Sequence, residues 1–564
     1  MEMALAIVVA AVAAIVAVNA IAPRVRVAAP LLLVVLGVGV SLIPGVPHLE
    51  VEPEIILLGV IPPLLYSAAV SLPAMEFRRD FASISGLSVV LVLLSSVLMG
   101  LFFWAVLPEI GLPLAIALGA VVSPTDAVAV QIIKKLGVSP RVVTVLEGES
   151  MLNDATALVL VRTAVAAAGA GMTFGEALWD FSSAVVLAVV IGLVAGEANI
   201  RLRRAVPGAA SSTALSFVAP WAAAVPAEAL GASGLVAAVV AGLVTGVRAP
   251  RFLRPEDRIS ERANWKTAEL ILEGAVFLVL GLELIGLVED VIETHGSLWF
   301  AVGLGLAALA LALAIRAGYI APLVMVARRR VERAHARHDQ AKERAEGAGD
   351  RLDTRALAKV NRRLEVHSAD VQYLENRPLR WREGTVLVWA GMRGAITLAA
   401  AQTLPADTPL RSTLVLIAFV VAAGSLLGQG VSLPWLAKAV GVAGESEHDE
   451  RERQELRDLL LAEATTVLDA PDLARPKGGA YDPEVIAAVR RAVVHASDEE
   501  SEGEDLGDQF LELRLAVIAA QRSRLLATRA VGTYGSHALG AALRVLDADQ
   551  ISTQLRRDEP DEGD

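Results

Sequence analysis

Two neighbouring stretches carry residues that could do chemistry: Ser123-Pro124-Thr125-Asp126-Ala127, and Glu147-Gly148-Glu149-Ser150-Met151-Leu152-Asn153-Asp154. Each lies in or against an apolar run long enough to cross a bilayer. Charge at that depth is costly and by default marks an ion or proton pathway. In the first stretch Pro124 removes a backbone donor just before Thr125 and Asp126, which predicts a helix broken in mid-membrane. In the second, helical spacing stacks Glu149 over Asn153 and Ser150 over Asp154 on adjoining faces. A broken helix with free carbonyls, beside a helix bearing carboxylate, amide and hydroxyl, supplies oxygen ligands for a small hard cation. Asp154, Asn153, Ser150, Thr125 and Asp126 are the candidate ligands, with Asp154, Ser150 and Thr125 the expected contacts of the bound cation. The bland alternative is a set of helix caps and paired polar groups, but two such motifs in one chain favour a site.

The elements that must position these residues are membrane helices. The chain has 564 residues, 55% of them apolar and only 20% charged, with a mean hydropathy of +0.56. That composition reads as an all-α polytopic membrane protein. Apolar runs of spanning length number about 13. They cover roughly 4–22, 27–45, 53–73, 86–107, 112–133, 143–168, 177–197, 209–229, 231–247, 267–287, 298–327, 384–404 and 411–440. The first run is kept as a span, not a signal peptide, because Met1-Glu2-Met3 lacks a positive n-region. Lys and Arg gather in alternate connections, from Arg24 and Arg26 through Lys134, Lys135 and Arg141, then Arg201, Arg203 and Arg204, to Arg328-Arg329-Arg330. The alternation predicts a cell-membrane protein with its N-terminus outside and its C-terminus in the cytoplasm.

The fifth span carries the Thr-Asp break, and the twelfth carries a second interruption at Gly391-Met392-Arg393-Gly394-Ala395. They stand seven places apart in the order of spans, an odd step, so they cross in opposite directions. This predicts inverted repeats, spans 1–6 against 8–13, with two discontinuous crossing helices. Asp126 is then expected to neutralise the positive helix ends, and Arg393 the negative ones. Glu269 and Glu273, one turn apart, are expected to line a cytoplasmic funnel or to pair with Arg393. The expected domains are a transmembrane part at 1–442, with a charged helical insertion at 328–382, and a small helical cytoplasmic part at 443–564. Helical periodicity in the latter falls near 448–469, 482–496 and 506–530, with a flexible acidic linker around 498–505 and an acidic tail. That part is expected to be regulatory, its ligand left open.

The family resemblance rests on these residues and on further patterns in order. Thr125-Asp126 and Asn153-Asp154 resemble the motifs of the monovalent cation:proton antiporters, the family of NhaP-type Na+/H+ antiporters and animal sodium/proton exchangers. Ile61-Pro62-Pro63-Leu64-Leu65-Tyr66 resembles its Leu-Pro-Pro signature, and Gly148 to Leu160 its Gly-Glu-Ser-Leu-Leu-Asn-Asp helix. Leu272 to Phe277 with Gly281-Leu282, Gly391 to Ala400, and Gln429-Gly430 with Leu433-Pro434 follow in the expected sequence. The resemblance implies exchange of Na+, Li+ or K+ for H+, a homodimer in the lipid bilayer, and no cofactor. It pairs Glu149 with Arg316 as a structural ion pair. One departure is Ser67, where some members carry an acid. K+-selective exchange and a passive cation channel stand as alternatives.

Other classes are weaker. With no cysteine there is no disulfide, thiol catalysis or Cys-ligated metal. All eight histidines lie outside the assigned spans, which removes a buried Ser–His hydrolase, though aspartyl and Ser–Lys mechanisms stay open. No phosphate-binding Gly-x4-Gly-Lys-Ser/Thr loop occurs, against an ATP-driven pump. The net charge of −12 gives no reason to expect nucleic acid. For an exchanger, Asp154 is the shared carboxylate: burial disfavours its charged form unless a cation is bound, so cation and proton compete for it.

Overall fold

The structure is a computed structural model that describes residues 2–25, 27–43, 52, 54–170, 174–293, 297–348, 354–405, 407–444, 447–471, 473–476, 478–495 and 504–558. Helices α1 (Glu2–Val25), α2 (Ala29–Ser41), α3 (Ile61–Ser71), α4 (Ala74–Ser85) and α5 (Leu91–Val106) open the chain. Then come α6 (Gly111–Val121), α7 (Val128–Lys135), α8 (Pro140–Ala170), α9 (Phe174–Ala205), α10 (Ala209–Ala229), α11 (Gly234–Phe252), α12 (Pro255–Glu293) and α13 (Leu298–Ala348). The rest are α14 (Thr354–Asn376), α15 (Trp381–Trp389), α16 (Ala395–Gln402), α17 (Arg411–Val440), α18 (Glu447–Leu468), α19 (Pro483–His495), α20 (Glu504–Val531) and α21 (Ser536–Asp558). Among the described residues there is no strand. Eight helical runs in them are long and apolar enough to cross a membrane, and three shorter apolar helices accompany them.

The chain divides into two units. The first comprises 1–252, 260–328 and 379–444, the second 253–259, 329–378 and 445–564. In the second, α18, α19 and α20 close a small core around Ala464, Leu468, Tyr481, Val485, Val489, Leu513 and Val517. Arg377 is ion-paired there with Asp449 and Glu452 at 2.9 and 2.8 Å. Helix α21 was not anticipated, because its mixed composition gives no clear apolar stripe. The expected linker core at 498–503 and the last acidic residues lie outside the described residues.

Several helices outrun their apolar stretches. The run expected at 86–107 begins at Ala74, continuous through a wider turn at Gly86–Val90. Helices α12 and α13 likewise continue into charged sequence, since backbone hydrogen bonds persist where hydropathy stops. Arg141 and Arg203, read from sequence as loop charges, are buried. Arg141 donates to both oxygens of Asp80 at 2.7–3.1 Å. Arg203 meets both oxygens of Glu261 at 2.9 Å. Each buried charge is thus satisfied by a two-point partner.

Proline chemistry shapes the approach to α3. Pro62 has no N–H for the Leu58 carbonyl, and the helix is widened over Ile55–Val60. The freed Leu58 oxygen accepts instead from the Trp221 indole at 2.9 Å. Helix α3 packs on α11. Tyr66, Asn199 and Thr245 share a buried hydrogen-bond triangle at 3.0–3.3 Å.

Candidate functional site

Both interrupted segments lie in the first unit, and each completes the other's backbone. In an unbroken helix Asp126 N–H would donate to Val122 O. It donates to Met392 O at 2.6 Å, and Val122 O accepts from Arg393 Nε at 3.2 Å. Arg393 also donates to Gly391 O, and its own N–H goes to the Ser425 hydroxyl at 2.8 Å. Its guanidinium therefore serves carbonyls just past the C-terminal ends of α6 and α15, where partial negative charge collects. Asp126 sits at the opposite ends: Oδ1 accepts from Val128 N–H in the first turn of α7 at 3.3 Å, and a Cβ built on Gly394, which precedes α16, would strike its carboxylate.

Two glycines permit this close approach of the two segments. At Gly391 a Cβ would come within 2.5–2.9 Å of the Arg316 guanidinium, and at Gly394 it would overlap Asp126. Gly394→Ala is expected to displace the carboxylate and to cost about 1–3 kcal/mol by overpacking. Gly428→Ala, where a Cβ meets nothing within 4 Å, is expected to be neutral. Thermal melting in detergent compares the two, and equal melting temperatures would show the approach to be loose.

Glu149 and Arg316 meet through two parallel contacts, Nη1 to Oε1 and Nη2 to Oε2, the latter at 2.8 Å. Both side chains are about as buried as side chains become, at 1% and 3% exposure. Arg316 Nε donates to Leu387 O at 2.9 Å, a carbonyl released by the end of α15. Glu149 in turn accepts from the Thr125 hydroxyl at 3.3 Å, which accepts from Asn153 Nδ2 at 2.7 Å. This chain of contacts fixes Thr125 in the broken segment against α8.

A cavity of about 280 Å³ lies beside the two segments. Thr125, Asp126, Ser150, Asp154, Glu269 and Glu273 all line it. Asp154 is 6% exposed, and among the described residues no hydrogen bond or ion pair reaches its carboxylate. Asn153 is not in the cavity wall. Its amide nitrogen holds Thr125, while its Oδ1, like Asp126 Oδ2, is buried with no hydrogen-bond partner among the described residues. Glu269 and Glu273 are brought to the cavity, not to Arg393, which is already occupied by carbonyls. The Ser67 hydroxyl donates to Glu269, so the position without an acid touches one. Gln131 Nε2 donates to Glu273 Oε2 at 3.5 Å.

Sequence reasoning did not place several polar residues in the wall, among them Gln131, Lys134, Glu147 and Thr397. Gln131 and Lys134 lie three residues apart and so share a face of α7, a signal that was available. Thr397, whose buried hydroxyl has no partner among the described residues, follows the second break by a few residues.

Comparison with known proteins bears on the whole arrangement. A family model described as "Sodium/hydrogen exchanger, transmembrane" matches residues 7–439. An uncharacterized Na(+)/H(+) exchanger of Mycobacterium tuberculosis is 29% identical over 542 residues, covering 93% of this chain and 92% of its own. The Na(+)/H(+) antiporter NhaG of Bacillus atrophaeus is 26% identical over 460 residues, or 78% and 75% of the two chains. The solved sodium proton antiporter of Methanocaldococcus jannaschii superposes with a TM-score of 0.57 at 17% identity, over 78% of this chain and 99% of that one. At that identity the likeness is one of fold.

Proposed function

The chain belongs to the sodium/hydrogen exchanger family and is a secondary Na+/H+ antiporter of the membrane, and from that premise we propose that Asp154 is the carboxylate that holds cation and proton in turn. One observation carries the proposal: a buried carboxylate without a partner among the described residues, in the wall of a cavity that other carboxylates also line. A naked buried charge is costly. Asp154 is therefore stable in two forms, protonated or holding a cation, and competition between them couples the two flows without ATP. Ser150 and Thr125 supply neutral oxygens to a bound Na+, or to Li+ or K+. Asn153 acts by holding Thr125. Asp126 and Arg393 balance the helix ends, and the Glu149–Arg316 pair stays closed throughout.

The finer architecture belongs to the same proposal. About 13 spans in inverted repeats place the two interrupted segments antiparallel, which the exchange of carbonyl partners at Asp126 and Arg393 supports. The N-terminus lies outside and the C-terminus in the cytoplasm, and alternating access moves the site between the two membrane faces. The part beyond 442 is cytoplasmic and regulatory, and the assembly is a homodimer.

With one exchanging carboxylate, each half-cycle carries either one monovalent cation or one proton, so turnover moves no net charge. The exchange is expected to be electroneutral. In proteoliposomes at fixed ion gradients, an imposed membrane potential should leave the exchange equilibrium unmoved. A reproducible shift would mean a second titrating group, with Asp126 the first suspect.

A further inference from the structure

The wall of the cavity carries an ion pair that exchange at Asp154 does not require. Lys134, near the end of α7, bonds Glu147 on α8, and both residues line the cavity. Glu147, Ser150, Met151 and Asp154 form one stripe along α8, placing the Glu147 carboxylate about 10 Å along the helix axis from Asp154. Helix α7 presents a matching stripe through Val130, Gln131 and Lys134. Lys134 meets Glu147 on α8, Gln131 meets Glu273 on α12, and Asp126 and Asp154 line the same cavity. Lys134 is the more solvated partner of its pair, with 55% of its side chain exposed against 17% for Glu147. With the lysine more than half exposed, water screens the pair from that side and lowers the cost of opening it.

Charge gives the pair its meaning. Among the described residues lining the cavity, Lys134 is the single base against five carboxylates, Asp126, Glu147, Asp154, Glu269 and Glu273. A fixed ammonium there has the same charge as the transported ion and seeks the same oxygens. We propose that Lys134 is a tethered competitor of the transported cation, occupying Glu147 and setting the apparent affinity with which free cation reaches Asp154. An entering Na+ takes the Glu147 oxygens as Lys134 swings to solvent, and passes by Glu273 to Asp154. When the ion has left, Lys134 returns and neutralises Glu147, so the empty wall does not retain the cation it has released. The tether costs affinity and gains release. Lys134 is thus a positioning residue, acting on the ion through Glu147.

The inference rests on Asp154 being the exchanged carboxylate, and the test separates the two. Na+-driven proton movement is measured in everted vesicles and in proteoliposomes, varying cation at fixed pH. Lys134→Gln and Lys134→Met are expected to lower the apparent KM for Na+ roughly threefold to tenfold at low ionic strength, with a smaller change in maximal rate. The difference should shrink as choline chloride is added. Lys134→Arg keeps the charge and should stay near the parent value. Glu147→Gln should shift KM the other way, since it leaves the ammonium and removes its carboxylate. A merely structural ion pair would make both neutral variants fail in the same direction. An unchanged KM in both neutral Lys134 variants, or shifts of one sign in Lys134→Gln and Glu147→Gln, overturns the inference. Transport by Asp154→Asn in the same assay overturns instead the reading on which it rests.

Discussion

Asp154→Asn is expected to abolish Na+-driven proton movement, down to the level of vesicles without the protein, while leaving the protein folded. Asparagine keeps the size and hydrogen-bonding capacity of the side chain but cannot alternate between a charged and a protonated form. The structure adds an expectation about stability. Asp154 is buried and no side chain among the described residues pairs with it, so asparagine breaks no contact and spares the protein the cost of ionising that site. The variant should melt in detergent at or above the parent temperature. Loss of transport with gain of stability is the pattern of a residue retained for function. A well-folded Asp154→Asn protein that still exchanged ions would remove Asp154 from its role.

The second large effect is opposite in kind. Glu149→Gln and Arg316→Met are each expected to destabilise the protein by about 3–5 kcal/mol, since the surviving partner is left charged and buried. Arg316→Met should be the worse, because it also orphans the Leu387 carbonyl at the end of α15. Glu149→Gln can retain a hydrogen bond to Arg316 and to Thr125. The double variant should recover part of the loss, a coupling read from a double-mutant cycle of melting in detergent. A double variant with the summed loss of the singles would argue against a direct pair. Transport should fall in step with folded protein, through the Thr125–Glu149 contact, and no separate chemical role is needed.

How far these residues were legible follows from what each signal encodes. Pro124 announced the first break locally, by its missing donor, and the glycines around Arg393 announced the second. The pairing of Glu149 with Arg316 was not local: the residues lie far apart in sequence, and family resemblance supplied the link. Nothing in the sequence could give the exchange of carbonyl partners between the breaks, since Asp126 N–H finds Met392 O only once the two segments meet. Hydropathy measures apolar thickness, so it located spans but missed how far α12 and α13 run on. It also treated Arg141, Arg203 and Lys134 as loop charges. Whether such a charge faces solvent, a buried carboxylate or a cavity depends on the neighbouring helix, and Asp80, Glu261 and Glu147 were the neighbours. Ser67 had looked like a missing acid, yet its hydroxyl reaches Glu269 from another helix.

Proton release on cation binding tests the central claim most directly, because it requires neither a membrane nor turnover. Purified protein in weakly buffered detergent solution is titrated with NaCl, with choline chloride as the control, while released protons are followed by a pH dye and bound Na+ by calorimetry. If one carboxylate holds cation and proton in turn, binding should release about one proton per Na+ when Asp154 starts protonated. The release should fade as the pH is raised and the site is already ionised, and Asp154→Asn should give none. Na+ binding at low pH with no proton released, or undiminished release from Asp154→Asn, would contradict the account.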